Sequence, residues 1–216
     1  MYIFLNVLSG YSMKQQVFYI HGGESYDDHD VFLNRLHTID IRDLPTVETK
    51  GKWTGTLAAE LGEDYEVFMP AMPNKQNAKY EEWKIWFERH FEYLNDGVIL
   101  LGCSLGAMFL TKYLADNTPP FSVKVLMLLA CPIRVTGFHD DESGSFRFNT
   151  NVIPELAGKA AQIFVLHSKD DFLVPYEHAL TFHELLPEAE LLTFEDKNHF
   201  LVAKFPELIQ LIKKIS

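Results

Sequence analysis

Short runs of apolar residues recur along the chain, and polar or turn-forming residues separate them. The runs are four to eight residues long and lie at 17–20, 65–69, 98–101, 123–130, 163–167 and 191–194. Continuous apolar runs of this kind are typical of parallel strands that are covered on both faces of a sheet. The pattern therefore predicts a core built on six buried strands.

The segments between these runs have a different spacing, because most carry apolar residues at i, i+3 and i+4, the period of one helix face. They lie at 31–39, 53–62, 77–94, 105–117, 153–158, 176–187 and 205–215. Alternating strands and helices predict an α/β fold, a three-layer α/β/α sandwich with a mostly parallel sheet and right-handed crossovers. In such sheets, ligands bind beyond the carboxyl ends of the strands.

The domain organisation follows from the connections between these elements. No internal repeat, low-complexity tract or Gly/Ser-rich linker interrupts the 216 residues, so we expect one domain over residues 1–216. Residues 1–14 are expected to form an extra strand or a tail, with Met13 as an alternative start. The irregular stretch at 132–150 is expected to be a solvated excursion or a partial cover over a pocket, because loops of that length are usually functional or disordered.

The charge of the chain narrows the choice of partner. A formal net charge of −11 and the lack of a Lys/Arg cluster argue against nucleic acid, which is bound through clustered basic side chains. No segment approaches the roughly 20 apolar residues of a membrane span, so no membrane partner is expected. Cys103 and Cys131 lie inside apolar runs, which predicts buried thiols and a cytoplasmic location, with a disulfide between them as the alternative.

The pentapeptide GCSLG at 102–106 stands between a predicted strand and a predicted helix. A sharp strand-to-helix turn exposes the side chain at its tip, and residues two before and two after the tip must be small, as Gly102 and Gly106 are. This context predicts a nucleophile elbow with Ser104 at its tip. A structural serine at a helix N-cap is the alternative. If Ser104 is the nucleophile, the N–H of Leu105 is one expected oxyanion donor, because the first N–H groups of a helix lack partners within it.

A serine nucleophile needs a base, and that base needs a carboxylate to orient it. Both residue types follow later strands, in the order acid then histidine. SKDDFLVP follows the run at 163–167, and EDKNHF follows the run at 191–194. His199 is therefore the predicted base, and Asp170 and Asp171 compete for the role of the acid. The other histidines lie in predicted helices or polar loops, or at the end of a strand where packing is expected, as His167 does.

Two further groups of residues invite a functional interpretation. The helical segment at 77–94 places several aromatic residues on one stripe, which indicates core packing, although Trp83 is also a candidate wall of an acyl pocket. Acidic residues and His29 at 27–30 have no recognised metal-binding spacing, and an acidic helix start explains them more simply. We therefore expect no metal site.

Together, YIHGG, GCSLGA, DDFLVP and KNHF resemble motifs of the α/β-hydrolase superfamily. The patterns at 65–74 and 145–175 look more particularly like the small serine hydrolases of the retinoblastoma-binding-protein-like and YdeN-like group. DFLVP resembles the loop whose first Asp is the acid of a Ser-His-Asp triad, which favours Asp171 over Asp170. The His-Gly pair resembles an oxyanion turn, which assigns the second donor N–H to Gly23 and places Glu24 near the substrate.

The resemblance implies a cofactor-free esterase that acts on small acyl substrates. We expect the chain to be a monomer or weak homodimer. One departure from the pattern is Cys103, since many relatives have His before the nucleophile; we expect this change to alter packing only. Two other functions remain open. One is that of a non-catalytic interaction module on a hydrolase scaffold. The other is hydrolysis of thioesters, amides or carbon–carbon bonds by the same triad.

Overall fold

The structure is a computed structural model that describes residues 13–39, 51–133 and 143–216. In these residues six strands form one sheet in which every pair of neighbours is parallel, in the order β2-β1-β3-β4-β5-β6. The strands are β1 (Gln15–Ile20), β2 (Tyr65–Phe68), β3 (Val98–Cys103), β4 (Val123–Leu129), β5 (Gln162–Ser168) and β6 (Glu190–Phe194). The predicted parallel sheet is confirmed.

Helices pack on both faces of the sheet. They are α1 (His29–Thr38), α2 (Leu57–Leu61), α3 (Tyr80–Glu88), α4 (Leu105–Asp116), α5 (Glu177–Leu185) and α6 (Pro206–Ile215). Successive residues of a strand point to opposite faces, and two apolar clusters follow this alternation. One contains Phe18 and Leu100 with residues of α3, α4 and α5. The other contains Val17 and Ile99 with residues of α2 and α6. The predicted three-layer sandwich is therefore confirmed.

Several predicted helices are shorter than their apolar spacing suggests. The segment at 77–94 forms α3 only from Tyr80, because the chain before it is bound elsewhere: Ala78 N–H donates to Glu24 O at 2.8 Å. The segment at 153–158 lies mostly in a 3-10 helix over Thr150–Leu156, and Pro154 inside it cannot donate the hydrogen bond that an α-helix requires. The segment at 53–62 divides into a 3-10 turn and α2.

The order of the strands brings four predicted functional segments to one edge of the sheet. The carboxyl ends of parallel strands meet at the same edge, and β1 lies beside β3, so the HGG turn adjoins the residues after Cys103. Strand β4 separates β3 from β5, and β6 lies beside β5. The two loops that carry the candidate acid and the candidate base are therefore neighbours.

Two predicted segments fall partly outside the described residues. Most of residues 1–14, the expected extra strand or tail, and residues 134–142 of the expected cover lie there. The described end of that second stretch forms a 3-10 turn at Gly144–Phe146, and Ser143 pairs with Ser25 of the β1 loop. None of the helices in the described ranges has the length and apolar character to cross a membrane.

Candidate active site

Ser104 stands at the tip of a tight turn between β3 and α4. Its φ of 54° lies in the left-handed region, which a non-glycine residue adopts only at a cost. Two glycines make the turn possible. A Cβ on Gly102 would lie 2.7 Å from the backbone N of Ala107, and a Cβ on Gly106 would lie 2.7 Å from His21 O. Both approaches are too close for any side chain, so β1, β3 and α4 meet only because these positions are glycine.

The two candidate oxyanion donors lie beside this turn. Leu105 is the first residue of α4, and a Cβ on Gly23 would be 3.4 Å from its side chain. A Cβ on Gly22 would be 3.6 Å from Ser104 Oγ. Gly23 itself is confined on its other side, since the same Cβ would lie 2.5 Å from Lys75 O. The structure thus brings Ser104, Leu105 and Gly23 together, as the sequence analysis expected.

His21 fixes the orientation of the peptide group between Gly22 and Gly23. Its Nε2 accepts a hydrogen bond from Met72 N–H at 2.9 Å, so the ring proton is on Nδ1, which donates to Gly22 O at 2.7 Å. Burial lowers the pKa of His21, which keeps the ring neutral and this pattern intact. Because a trans peptide directs its C=O and N–H in opposite directions, holding Gly22 O also aims Gly23 N–H.

Asp171 and His199 meet at the carboxyl ends of β5 and β6. His199 Nδ1 lies 2.8 Å from Asp171 Oδ2 and 3.1 Å from Oδ1, and both side chains are almost fully buried. Asp171 Oδ1 also accepts hydrogen bonds from the backbone N–H groups of Leu173 and Val174, each at 2.9 Å. A carboxylate opposite Nδ1 keeps the ring proton there and leaves Nε2 free to accept another.

Asp170, the competing carboxylate, points to different partners. Its Oδ1 accepts hydrogen bonds from Ser168 Oγ at 2.5 Å and from Asn198 N–H at 2.9 Å. The structure therefore joins His199 to Asp171 and not to Asp170. The adjacent positions of the two residues in the sequence gave no means of separating them beyond the family resemblance.

Cys103, the residue before Ser104, is buried. Burial raises the pKa of its thiol to about 12, and the negative charge of Asp171 adds to the rise. Cys131 is also buried, and burial raises the pKa of its thiol to about 12. Both cysteines are free and uncharged, which confirms the predicted buried thiols.

Trp83 and Glu24, the predicted substrate contacts, have partners within the protein. Trp83 is fully buried, its indole N–H donates to Pro73 O at 2.7 Å, and its ring meets that of His21 edge-on. This favours core packing, the alternative interpretation of the aromatic stripe. Glu24 is half-buried; it accepts hydrogen bonds from the Tyr26 hydroxyl at 2.6 Å and from Arg35 at 3.2 Å.

The acidic start of α1 serves as a helix cap. Asp28 is the N-cap residue, and its carboxylate accepts hydrogen bonds from the N–H groups of Asp30 and Val31 at 2.7 and 3.0 Å. Capping of this kind satisfies backbone donors that a helix start leaves free. The predicted acidic helix start is confirmed.

Solved structures share this architecture over almost the whole chain. The product of the ydeN gene from B. subtilis aligns with a TM-score of 0.70 and 18% identity, covering 94% of this chain and 98% of that one. A lipase-esterase related protein from Clostridium acetobutylicum aligns at 0.62 and 12%, covering 94% of each chain. A thioesterase domain from the curacin biosynthetic pathway aligns at 0.59 and 13%, covering 93% and 91%. The chain has the α/β-hydrolase fold.

At these identities the likeness establishes the fold alone. No protein-family model and no curated protein matches the chain. Three features that bear on the chemistry had no signal in the sequence. They are the hydrogen bonds of Asp170, the left-handed φ of Asn198 and Phe200 on either side of His199, and the contact of Trp53 with Phe200 O.

Proposed function

We propose that the chain is a serine hydrolase that cleaves small acyl esters through an acyl-enzyme, with Ser104, His199 and Asp171 as its triad. The observation that carries the proposal is the 2.8 Å hydrogen bond between His199 Nδ1 and Asp171 Oδ2, at the same edge of the sheet as a serine on a left-handed turn. A buried imidazole oriented by a carboxylate is the arrangement that activates a serine hydroxyl.

In the proposed reaction, Ser104 Oγ attacks the ester carbonyl while His199 Nε2 takes the hydroxyl proton. The N–H groups of Leu105 and Gly23 donate to the oxyanion that forms. The imidazolium then gives its proton to the departing alcohol, and water attacks the acyl-enzyme with His199 again as the base.

Esters are the proposed substrate class because no group beyond the triad and the donors is needed to cleave them. A thioesterase domain and a meta-cleavage product hydrolase share the fold, so the test includes other bonds. A panel of chromogenic esters, thioesters and amides with matched acyl groups would rank the substrates by kcat/KM. A protein that turns over none of them, although it is folded, would be the interaction module.

The direct test is labelling by a fluorophosphonate probe, which reacts with activated serines. We expect the wild-type protein to be labelled and Ser104→Ala to be unlabelled, with turnover reduced by several orders of magnitude and the fold retained. Ser122→Ala removes an exposed serine at the opposite edge of the sheet and is the matched control. Labelling that persists in Ser104→Ala would contradict the assignment of the nucleophile.

A further inference from the structure

The backbone on both sides of His199 has a positive φ, which Asn198 tolerates and Phe200 strongly disfavours. Asn198 has a φ of 51° and Phe200 a φ of 54°. For a bulky residue such as Phe, the left-handed region is a clear outlier, and strain of this kind persists only where the surroundings impose it. The direction in which His199 leaves the backbone therefore depends on contacts that hold its two neighbours.

Contacts with the end of β5 hold the residues before His199. Asp170 Oδ1 accepts the hydrogen bond of Asn198 N–H at 2.9 Å. Ser168 Oγ accepts that of Lys197 N–H at 2.9 Å, and its own hydroxyl donates to Asp170 at 2.5 Å. Two successive backbone donors of the histidine loop are thus bound by two linked side chains of the acid loop. We call Ser168 and Asp170 the loop clamp.

Trp53 holds the residues after His199 from another part of the chain. Its indole N–H donates to Phe200 O at 2.9 Å, and its backbone N–H donates to Val202 O at 3.1 Å. Trp53 is buried against Phe205 and Tyr19, so it is a fixed point for this segment. With one side anchored in the core, the loop clamp is the contact that determines where the turn begins.

The charge of Asp170 suits this role. The hydrogen bond from Ser168 holds the pKa of its carboxyl below the ordinary value, and the N–H of Asn198 contributes in the same direction. The group is therefore an ionised acceptor at neutral pH, and hydrogen bonds to ionised acceptors are stronger than neutral ones. The carboxylate is exposed, yet two donors from different loops converge on one of its oxygens.

We infer that Asp170, acting with Ser168, is a positioning residue for the candidate base: it fixes the left-handed turn from which His199 reaches Asp171. This inference rests on the proposed function. Asp170 touches no reacting atom, and its effect passes through the backbone of Asn198. The two adjacent carboxylates thus have separate tasks, since Asp171 orients the imidazole ring and Asp170 orients the peptide that carries it.

A second bridge between the same two loops provides a matched control. Lys169 and Glu195 form an ion pair at 2.6 Å, with half or more of each side chain exposed. It joins side chain to side chain and leaves the backbone of 197–200 untouched. Exposed pairs of this kind contribute little, so Glu195→Ala removes a link between the loops without removing the clamp.

The test compares Asp170→Ala, Asp170→Asn and Glu195→Ala in steady-state hydrolysis of the best ester substrate. We expect Asp170→Ala to lower kcat by about tenfold or more with KM within about twofold, because small displacements of a catalytic group have large effects on rate. Asp170→Asn keeps an acceptor oxygen and is expected to stay within about threefold of the wild type, as is Glu195→Ala. A kcat for Asp170→Ala equal to that of Glu195→Ala would overturn the inference.

A spectroscopic measurement keeps the inference testable without turnover. The Nδ1 proton of His199 should give a downfield proton resonance that is lost in His199→Gln. We expect this resonance to broaden or disappear in Asp170→Ala and to persist in Asp170→Asn and Glu195→Ala. An unchanged resonance in Asp170→Ala would overturn the clamp whatever the activity. Absence of turnover in a wild-type protein that shows the resonance would instead contradict the proposed function.

If Asp170→Ala does not fold, Ser168→Ala is the second variant. It removes the acceptor for Lys197 N–H and one donor to Asp170, while the hydrogen bond from Asn198 N–H remains. We expect a fall in kcat between those of the two Asp170 variants, and the same broadening of the resonance. No change in either measurement would count against the clamp.

Discussion

The serine side and the histidine side of the site are built in opposite ways. Around Ser104 the backbone is confined by close packing, and the glycines at 102 and 106 are required because no side chain fits. Around His199 no glycine occurs, and the turn is held because Asp170 accepts a hydrogen bond from Asn198 N–H and Trp53 donates one to Phe200 O. Both sides place a reactive side chain on or beside a left-handed residue, but by steric exclusion in one case and by polar contacts in the other.

This difference determines how each side responds to change. Steric exclusion is insensitive to charge and solvent, so the turn at 102–106 should fail only when volume is added. Hydrogen bonds depend on donors, acceptors and protonation, so the histidine side should respond to small chemical changes that preserve shape. Added volume should therefore disrupt the serine side, and altered hydrogen-bonding groups should disrupt the histidine side.

The largest effect is expected for Asp171→Asn. Because Asp171 Oδ1 accepts two backbone N–H groups, the carbonyl oxygen of Asn must take that place. Its NH2 group then faces His199 Nδ1 and forces the ring proton onto Nε2, which can no longer act as a base. We expect kcat to fall by about 10³–10⁴ with the fold retained.

The same change at the neighbouring residue is the control, since Asp170→Asn is expected to keep most of the activity. Steady-state kinetics of the two variants side by side would measure the contrast. If Asp171→Asn kept more than about a tenth of the wild-type kcat, the assignment of the acid would be wrong.

The next effect concerns volume on the serine side. Gly106→Ala places a methyl group against the carbonyl oxygens of Ile20 and His21, and rigid backbone cannot yield as a flexible side chain does. We expect the free energy of unfolding to fall by about 3 kcal/mol or more. Chemical denaturation monitored by fluorescence would measure it.

Gly55→Ala is the matched control, because a Cβ at Gly55 would meet no atom within 4 Å. Its free energy of unfolding should change by less than about 1 kcal/mol. Equal losses in the two alanine variants would mean that the close approach of α4 to β1 is not the reason for glycine at 106.

These two sides also differ in how far the sequence alone predicts them. A close-packed turn can be predicted from the spacing of Gly102, Ser104 and Gly106. Glycine at 102 and 106 is required by the lack of space for a side chain, so the requirement is visible in the sequence. The hydrogen bond that Asp170 accepts cannot be predicted in this way, since a carboxylate in a polar loop is compatible with many turns. Only the folded chain brings it to Asn198, 28 residues further along. The strands could also be predicted from their apolar runs. The start of α3 at Tyr80 could not, because it depends on hydrogen bonds between the preceding residues and the loop after β1.

A third prediction concerns protons on the histidine side. His167 is fully buried, and its Nε2 lies 2.8 Å from Val174 O and 3.6 Å from Asp171 Oδ2. Burial lowers its pKa, whereas in the unfolded chain a histidine titrates near ~6.5. Between the two pKa values only the unfolded chain binds this proton, so stability is full above pH ~6.5 and falls as the pH drops below it.

His167→Gln keeps a donor to Val174 O but cannot titrate. We expect its free energy of unfolding to fall less than that of the wild type between pH 7 and pH 5, by up to about 1.4 kcal/mol per pH unit. Denaturation curves across this range would measure both slopes. Identical slopes would mean that His167 binds its proton equally in both states.

The smallest effect is expected at Asn198, where a substitution can place a glycine on the histidine side as on the serine side. Its side chain is exposed, so Asn198→Gly keeps the N–H that Asp170 accepts and introduces on the histidine side the residue type that the serine side uses. Glycine adopts a positive φ freely but loses more entropy on folding. We expect kcat within about twofold of the wild type and a change in stability below about 1 kcal/mol.

Asn198→Ala separates backbone conformation from side-chain chemistry at the same position. Alanine also keeps the N–H and lacks the polar side chain, but it resists a φ of 51° more than glycine or asparagine does. Its stability and kcat should therefore both fall below those of Asn198→Gly. If the two variants behaved alike in unfolding and turnover, the left-handed turn would not be a requirement of the site. The hydrogen bond from Asn198 N–H to Asp170 would then not be needed to hold residue 198 at a positive φ.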